Sequence, residues 1–385
     1  MTACHVCGCQ AVETLDQRGA RFRLVSSDVR PVEGTAEFSV CRQCCTVQKV
    51  VTPAWRAMIE RIYAHYDINH QSRGAEPMIF DSARGSGPRS QILLHNFLDL
   101  VPLAETGRLL DIGCSNGNLL KSFHALRPRW TLSGSELSDT WREKVMALPG
   151  VERFYSGTDP DYAGLFDLIS LSHVLEHVPD PIGFLQEICR RLTPGGRILV
   201  AVPNLAQNPI DLLIADHCTH FDSQSLHYVA RQSGLVPELL SEGLLPKELI
   251  AVLSVDGRPD AALVDEACPV EVMKERCQRQ FALIDEVRDA ARTAAMDDKP
   301  FGIMGSSIAA CWAMLELEGR VGFFVDEDPN RIGHSLGGLP ILQPTQVPAG
   351  AVVFIPMSVA VARRIVGRWR HLPIDFRFVA TNQPG

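Results

Sequence analysis

The chain has 385 residues, 46% hydrophobic and 21% charged, a balance that excludes overall disorder and leaves room for two or three domains. Lys+Arg 37 against Asp+Glu 45 leaves a formal charge of −8, which argues against a general nucleic-acid binder. No run of about 18 apolar residues is present. The start, MTACHVCGCQ, also lacks the charged and apolar parts of a secretion signal, so a cytoplasmic protein with no membrane partner is expected.

Of 12 cysteines, Cys4, Cys7, Cys9, Cys41, Cys44 and Cys45 fall near the N-terminus. Cys4-His-Val-Cys7 and Cys41-Arg-Gln-Cys44 form two C-x2-C knuckles. Each knuckle can present two thiolates from one tight turn, and tetrahedral zinc takes four. Apolar Phe22, Leu24, Phe38 and Val40 between them suit short strands that bring the knuckles together. Cys9 and Cys45 are spare thiols. A redox C-x-x-C is the rival reading, but no βαβ pattern flanks either knuckle. A site closed by four thiolates holds a fold and performs no chemistry.

Residues 50–105 read as helical and connecting, with a loop at Arg84–Arg89 and a helix at Gln91–Leu103. From residue 108 strands alternate with helices, the pattern of a doubly wound sheet. Strands are expected at Arg108–Ile112, Thr131–Ser135, Val151–Tyr155, Asp167–Leu171 and Arg197–Val202. A helix is expected at Pro181–Leu192, closed by Pro194-Gly195-Gly196.

The first strand runs into Asp111-Ile-Gly113-Cys-Ser115-Asn-Gly117, where small residues let a ligand approach the backbone. Glu136 closes the second strand, where a carboxylate can accept from both ribose hydroxyls. NAD is the rival ligand, but the spacing is G-x-S-x-G rather than G-x-G-x-x-G. Those letters also echo a hydrolase nucleophile elbow, which would need a partnered His and acid late in the chain.

Two histidine-bearing loops complete the candidate set. His173-Val-Leu-Glu176-His177 follows the fourth strand and Asp216-His217-Cys-Thr-His220 follows the fifth. Histidine can take a proton near neutral pH, and a neighbouring acid fixes its tautomer. His177 reads as a structural residue and Glu176 as serving the start of the next helix. His217 and His220 at i, i+3 raise a metal reading with Asp216, against plain hydrogen bonding.

LLDIGCSNGNLL, GSEL, FDLISLSHVLEHVPDP and LTPGGRILVAVPN together resemble class I S-adenosylmethionine-dependent methyltransferases. The resemblance implies a cofactor cradle of Asp111, Gly113, Ser115 and Gly117, with Glu136 on the ribose and adenine near Gly157–Asp159. With the cysteine module and the C-terminal segment VDEDPNRIGHSLGGLPILQP, almost the whole chain, as far as Phe354, resembles bacterial deoxysugar C-methyltransferases. That implies an α/β fold: a zinc-binding module over 1–60, a class I methyltransferase doubly wound sheet over 61–255, and a Rossmann-like domain over 256–385. It implies a nucleotide-sugar substrate and catalytic roles for His217, His173, Asp216 and Tyr66, and leaves the oligomeric state open. Ile214 stands where the family commonly has tyrosine, Asp216 where it has glutamate, and Ile355–Ser358 where it has an aromatic-polar stretch. O- or N-methylation of another small molecule, or a non-catalytic cofactor-binding zinc scaffold, are the alternatives.

In the last third a helix is expected at Gln278–Ala295, from the spacing of Phe281, Ile284 and Val287. Pro300–Met304 and Val321–Val325 then read as a second βαβ unit. Gly302-Ile-Met-Gly305 is too degraded a fingerprint for independent dinucleotide binding. Arg363, Arg364, Arg368 and Arg370 read as a solvated helix face.

Overall fold

A computed structural model describes residues 3–15, 21–68, 70–82, 84–158, 160–258 and 269–379. Its centre is a seven-stranded sheet of β1 Arg108–Ile112, β2 Thr131–Glu136, β3 Val151–Ser156, β4 Phe166–Ser172, β5 Leu192–Pro203, β6 Val236–Ser241 and β7 Glu248–Ser254. The order is β3-β2-β1-β4-β5-β7-β6. Strands β1 to β5 run parallel, and β7 enters antiparallel between β5 and β6. This is the expected α/β doubly wound sheet. Its reversed strand distinguishes it from the 3-2-1-4-5-6 dinucleotide order. Strand β4 reads FDLISLS and is buried along nearly its whole length, as a parallel strand covered on both faces must be.

A second sheet joins Val12–Thr14, Phe38–Cys41, Val47–Lys49 and Thr219–His220, all antiparallel. Its last strand comes from the loop after β5, so the cysteine region and the loop carrying His217 share one sheet. The third sheet includes Leu339–Leu342, Phe323–Val325, Phe301–Met304, Val352–Ile355 and Asp375–Phe378 in parallel order. Helix Val270–Ala294 ties it to the N-terminal region: Phe281 packs against Phe38 at 5.2 Å between ring centroids and against Phe22 at 6.0 Å. These rings are buried, each contributing about 1.5–3 kcal/mol.

Several local expectations need correction. The loop at Arg84–Arg89 contains a strand, Gly85–Pro88, paired with Met78–Ser82. Its Gly-Ser-Gly-Pro sequence has little strand preference, and the partner supplies what composition does not. The helix at Arg89–Leu100 begins two residues before Gln91 and ends three before Leu103. Helix Pro181–Ile188, capped by the Asp180 side chain, tightens to 3-10 over Cys189–Arg191. Pro194-Gly195-Gly196 then lies inside β5, within the register shift where its pairing moves from Leu192↔Phe166 to Arg197↔Leu168. The helix expected from Gln278 begins at Val270. Gly302 sits inside a strand against the Phe323 ring rather than in a phosphate-binding turn. Arg363, Arg364, Arg368 and Arg370 are exposed, with Arg368 paired to Glu327. Among the described residues, no helix is long and apolar enough to cross a membrane.

Candidate functional site

The turn after β1 is held by backbone geometry and one carboxylate. Gly113, Ser115 and Gly117 all have positive φ, at 71°, 47° and 83°. A Cβ on Gly113 would stand 2.6 Å from Val174 Cγ2, so the loop after β4 presses directly on this turn. Glu136, at the tip of β2, accepts from Ser115 N at 3.1 Å and from Leu137 N at 2.8 Å. Burial raises the Glu136 pKa, opposed by those two N–H groups. Two backbone contacts leave carboxylate lone pairs for further donors.

Asp111 is buried beneath the turn and accepts from Ser170 Oγ at 2.6 Å. Burial, helped by the Glu136 charge, pushes its pKa up to about 7. Ser115 Oγ is buried with no hydrogen-bond partner among the described residues, so it lacks the base a nucleophile elbow requires. Beyond β3, a Cβ on Gly157 would meet nothing within 4 Å, leaving open space where the resemblance placed adenine. Asp159 lies outside the described residues.

The structure brings His173, Asp216, His217 and Tyr66 into one connected cluster, with pairings adjacency does not suggest. His217 Nδ1 is 2.6 Å from Asp211 Oδ1, not paired with Asp216. The other Asp211 oxygen lies 2.5 Å from His220 Nδ1. His220 Nε2 faces Lys49 Nζ at 3.3 Å, and Lys49 also donates to the Ile214 and His217 carbonyl oxygens. The metal reading of Asp216, His217 and His220 therefore gives way to hydrogen bonding, with Asp211 at the centre. Burial depresses His220 to about 4 and Lys49 to about 8.

Asp216 accepts from Ser27 N at 2.8 Å and from Ser27 Oγ, which lies 3.0 Å from the Tyr66 hydroxyl. Tyr66 thus joins the cluster through a serine near the N-terminus. Asp216 Oδ2 is also 3.4 Å from His177 Nδ1, and the His177 and His217 rings meet edge to face at 4.5 Å.

His173 lies between two carboxylates. Its Nδ1 is 2.9 Å from Glu176 Oε1 and its Nε2 is 3.5 Å from Glu248 Oε2. Burial and Arg89 press its pKa down, but Glu248 and Glu176 outweigh them and lift it to about 9. Both nitrogens face acceptors, so the ring is a cation at neutral pH. Glu176 is buried against His173 rather than serving the next helix, whose cap is Asp180.

At the N-terminus, Cys4, Cys7, Cys41 and Cys44 place their sulfurs within 4.8 Å of one another. Cys4–Cys44 is 3.6 Å and Cys7–Cys41 is 3.5 Å. Four sulfurs about 2.3 Å from a tetrahedral zinc would stand about 3.8 Å apart, so the donor set and spacing fit that ion.

Residues 88–240 match the family model described as a methyltransferase domain. Over 109 residues the chain is 33% identical to a protein named ubiquinone biosynthesis O-methyltransferase from Aromatoleum aromaticum, covering 25% of this chain and 44% of that protein. A protein of the same name from Marinobacter nauticus is 32% identical over 130 residues, covering 31% and 53%. The chain thus spans about half the length of these curated relatives. The solved structure of the mitomycin 7-O-methyltransferase MmcR aligns with a TM-score of 0.35 and 17% identity, over 43% of this chain and 53% of that one.

The methyltransferase domain match ends at residue 240, and part of the cluster lies beyond it or before it. Arg89 makes a paired contact with Glu248, with Arg89 Nε 2.7 Å from Glu248 Oε1, and also donates to Ser172 Oγ at 2.9 Å. Arg89, Glu248, Ser27, Lys49 and Asp211 are the members that sequence reading missed. Asp211 was the one with a usable signal, an acid six residues before His217 in a histidine-rich loop. The others sit in segments with no motif.

Proposed function

We propose that the protein is an S-adenosylmethionine-dependent methyltransferase acting on a small molecule, most specifically on a carbon of a nucleotide-linked keto-deoxysugar. The observation that carries this reading is the close approach of Val174 to Gly113, which brings the loop carrying His173 against the Glu136-bound turn. The turn residues fit the cofactor: small residues at Gly113 and Gly117, free lone pairs on Glu136, and an unpartnered Ser115 Oγ. When bound, S-adenosylmethionine supplies a methyl group on a cationic sulfonium.

On the acceptor side His217 is the favoured base. Asp211 holds its Nδ1 proton, leaving the Nε2 lone pair to take the proton alpha to a ketone and generate a nucleophilic carbon. His173, with its two ring nitrogens held by Glu176 and Glu248, places positive charge on the acceptor side, where it favours a developing enolate by through-space attraction. The named relatives favour a second reading, methylation of oxygen, in which the same base takes a hydroxyl proton. Cys4, Cys7, Cys41 and Cys44 would hold one structural zinc.

The test is turnover with keto-deoxysugar nucleotides and labelled cofactor, locating the new methyl by carbon NMR. A methyl on carbon, with His217→Ala lowering turnover by about 100-fold or more at unchanged cofactor affinity, is expected. A methyl on oxygen supports the second reading, and unchanged turnover removes His217 as base.

Cofactor affinity should also depend on pH. With Asp111 near 7 in the free protein, the carboxylate that favours a bound cation is lost as pH falls through that value. Each unit by which the cation lowers the Asp111 pKa weakens binding about tenfold between about pH 8 and pH 5. Calorimetry should show proton release on binding near pH 7. A constant affinity with no proton release would exclude Asp111 from this role.

A further inference from the structure

Where the loops after β4 and β5 meet, three side chains have one uncommitted atom each. A ring nitrogen of His177, a ring nitrogen of His217 and a carboxylate oxygen of Glu176 lie within 4.8 Å of one another. Their other atoms are engaged. His217 Nδ1 faces Asp211 Oδ1 at 2.6 Å; a carboxylate only accepts, so the proton is on Nδ1, and in the neutral ring the lone pair is on Nε2. His177 Nδ1 lies 3.0 Å from the Asp216 carbonyl oxygen and 3.4 Å from its carboxylate, which places that proton on Nδ1 as well. The Tyr63 hydroxyl lies 3.0 Å from the same nitrogen. Glu176 Oε1 takes the His173 Nδ1 hydrogen bond, while Oε2 is buried with no hydrogen-bond partner among the described residues.

We infer that Glu176 Oε2, His177 Nε2 and His217 Nε2 form a second metal site, for a divalent transition-metal ion, separate from the four cysteines. Two imidazoles and one carboxylate are the donor set of zinc and of non-haem iron(II). Each ligand has an outer partner that fixes its orientation: Asp211 behind His217, Asp216 behind His177, and His173 behind Glu176. Three protein ligands leave coordination positions open, and an oxygen donor such as a carbonyl, enolate or alkoxide is the class of ligand they take. Neighbouring donors around such an ion stand about 3.4 Å apart, within reach of small side-chain rotations from the observed spacing. His217 Nε2 holds a proton or a cation, never both. An ion bound there occupies the Nε2 lone pair that the proposed base uses, so the loaded protein cannot use His217 as its base.

The experiment is a titration of full-length protein, with its cysteine site already filled by zinc, using cobalt(II) alone. A second saturable equivalent is expected, with visible d–d absorption and no new thiolate charge-transfer band. Asp211→Asn should weaken that equivalent by about 10–100-fold. His177→Gln should remove it while the cysteine-bound zinc is retained, and Glu176→Gln, close in size and shape, should remove it at some cost in unfolding midpoint because Glu176 also pairs with buried His173. Binding of one equivalent only, or a second that survives Glu176→Gln and His177→Gln together, overturns the site. S-adenosylmethionine titration of the same samples separates the two readings. Cofactor binding without a second metal overturns only this inference, and a second metal without cofactor binding overturns only the functional one.

Discussion

Cys44→Ser is expected to lower the proposed methyl transfer about 100-fold or more while leaving cofactor binding nearly intact. Cys44 is buried in the four-sulfur cluster, far along the chain from the cofactor turn. Structural zinc contributes roughly 10–16 kcal/mol of apparent folding energy in small modules, so losing one of four thiolates should cost several kcal/mol. The cost falls on the sheet that includes Phe38–Cys41 and Val47–Lys49, and that sheet continues into Thr219–His220. Lys49 also donates to the Ile214 and His217 carbonyl oxygens at 2.7 and 2.8 Å. Loosening the cysteine end therefore releases the loop that aims His217. Metal analysis should show zinc well below one per chain, and turnover should fall about 100-fold or more, the scale of a lost acid–base contribution. The glycine turn and Glu136 belong to the other sheet, so cofactor affinity should change little. Full zinc occupancy with normal turnover in Cys44→Ser would sink both the metal assignment and this coupling.

Glu136→Ala should have the opposite signature. The substitution removes the acceptor for Ser115 N and Leu137 N, and with it the group proposed to bind the ribose. Hydrogen bonds to a charged group contribute about 1.5–3 kcal/mol each, so losing two ribose contacts should weaken S-adenosylmethionine binding about 100-fold or more. The carboxylate is partly buried at a strand tip and its loss opens no core cavity, so the unfolding midpoint should move little. Titration calorimetry beside thermal unfolding distinguishes a binding group from a structural one. Affinity within about threefold of the parent would mean that the turn binds something else, or binds it differently. Parent affinity with a lowered midpoint would make Glu136 a strut for Ser115.

The parts of the site that were legible in the sequence are those built from short spacings. Two residues between cysteines make a knuckle, and Gly113, Ser115 and Gly117 make a positive-φ turn wherever the strand before them ends. Glu136 follows because a second strand of predictable length ends there. The histidine cluster was legible only as a list of members. Adjacent residues point in different directions, so the Asp216-His217 spacing left the acid partner of His217 open, and the fold brings Asp211 to His217 Nδ1. Glu176 looked like a helix-start residue and is instead buried against His173.

By itself the sequence determined the order of strands and helices through the middle of the chain, the glycine turn after β1 and the pairing of the cysteine knuckles. Each depends on local backbone preference or on residues a fixed few positions apart. Tertiary structure alone decided that Thr219–His220 completes the N-terminal sheet, that Tyr66 reaches Asp216 through Ser27, and that Arg89 and Glu248 close around His173. Those contacts join residues separated by tens to hundreds of positions. Each is favourable only once burial has removed the water that would otherwise satisfy the same polar groups.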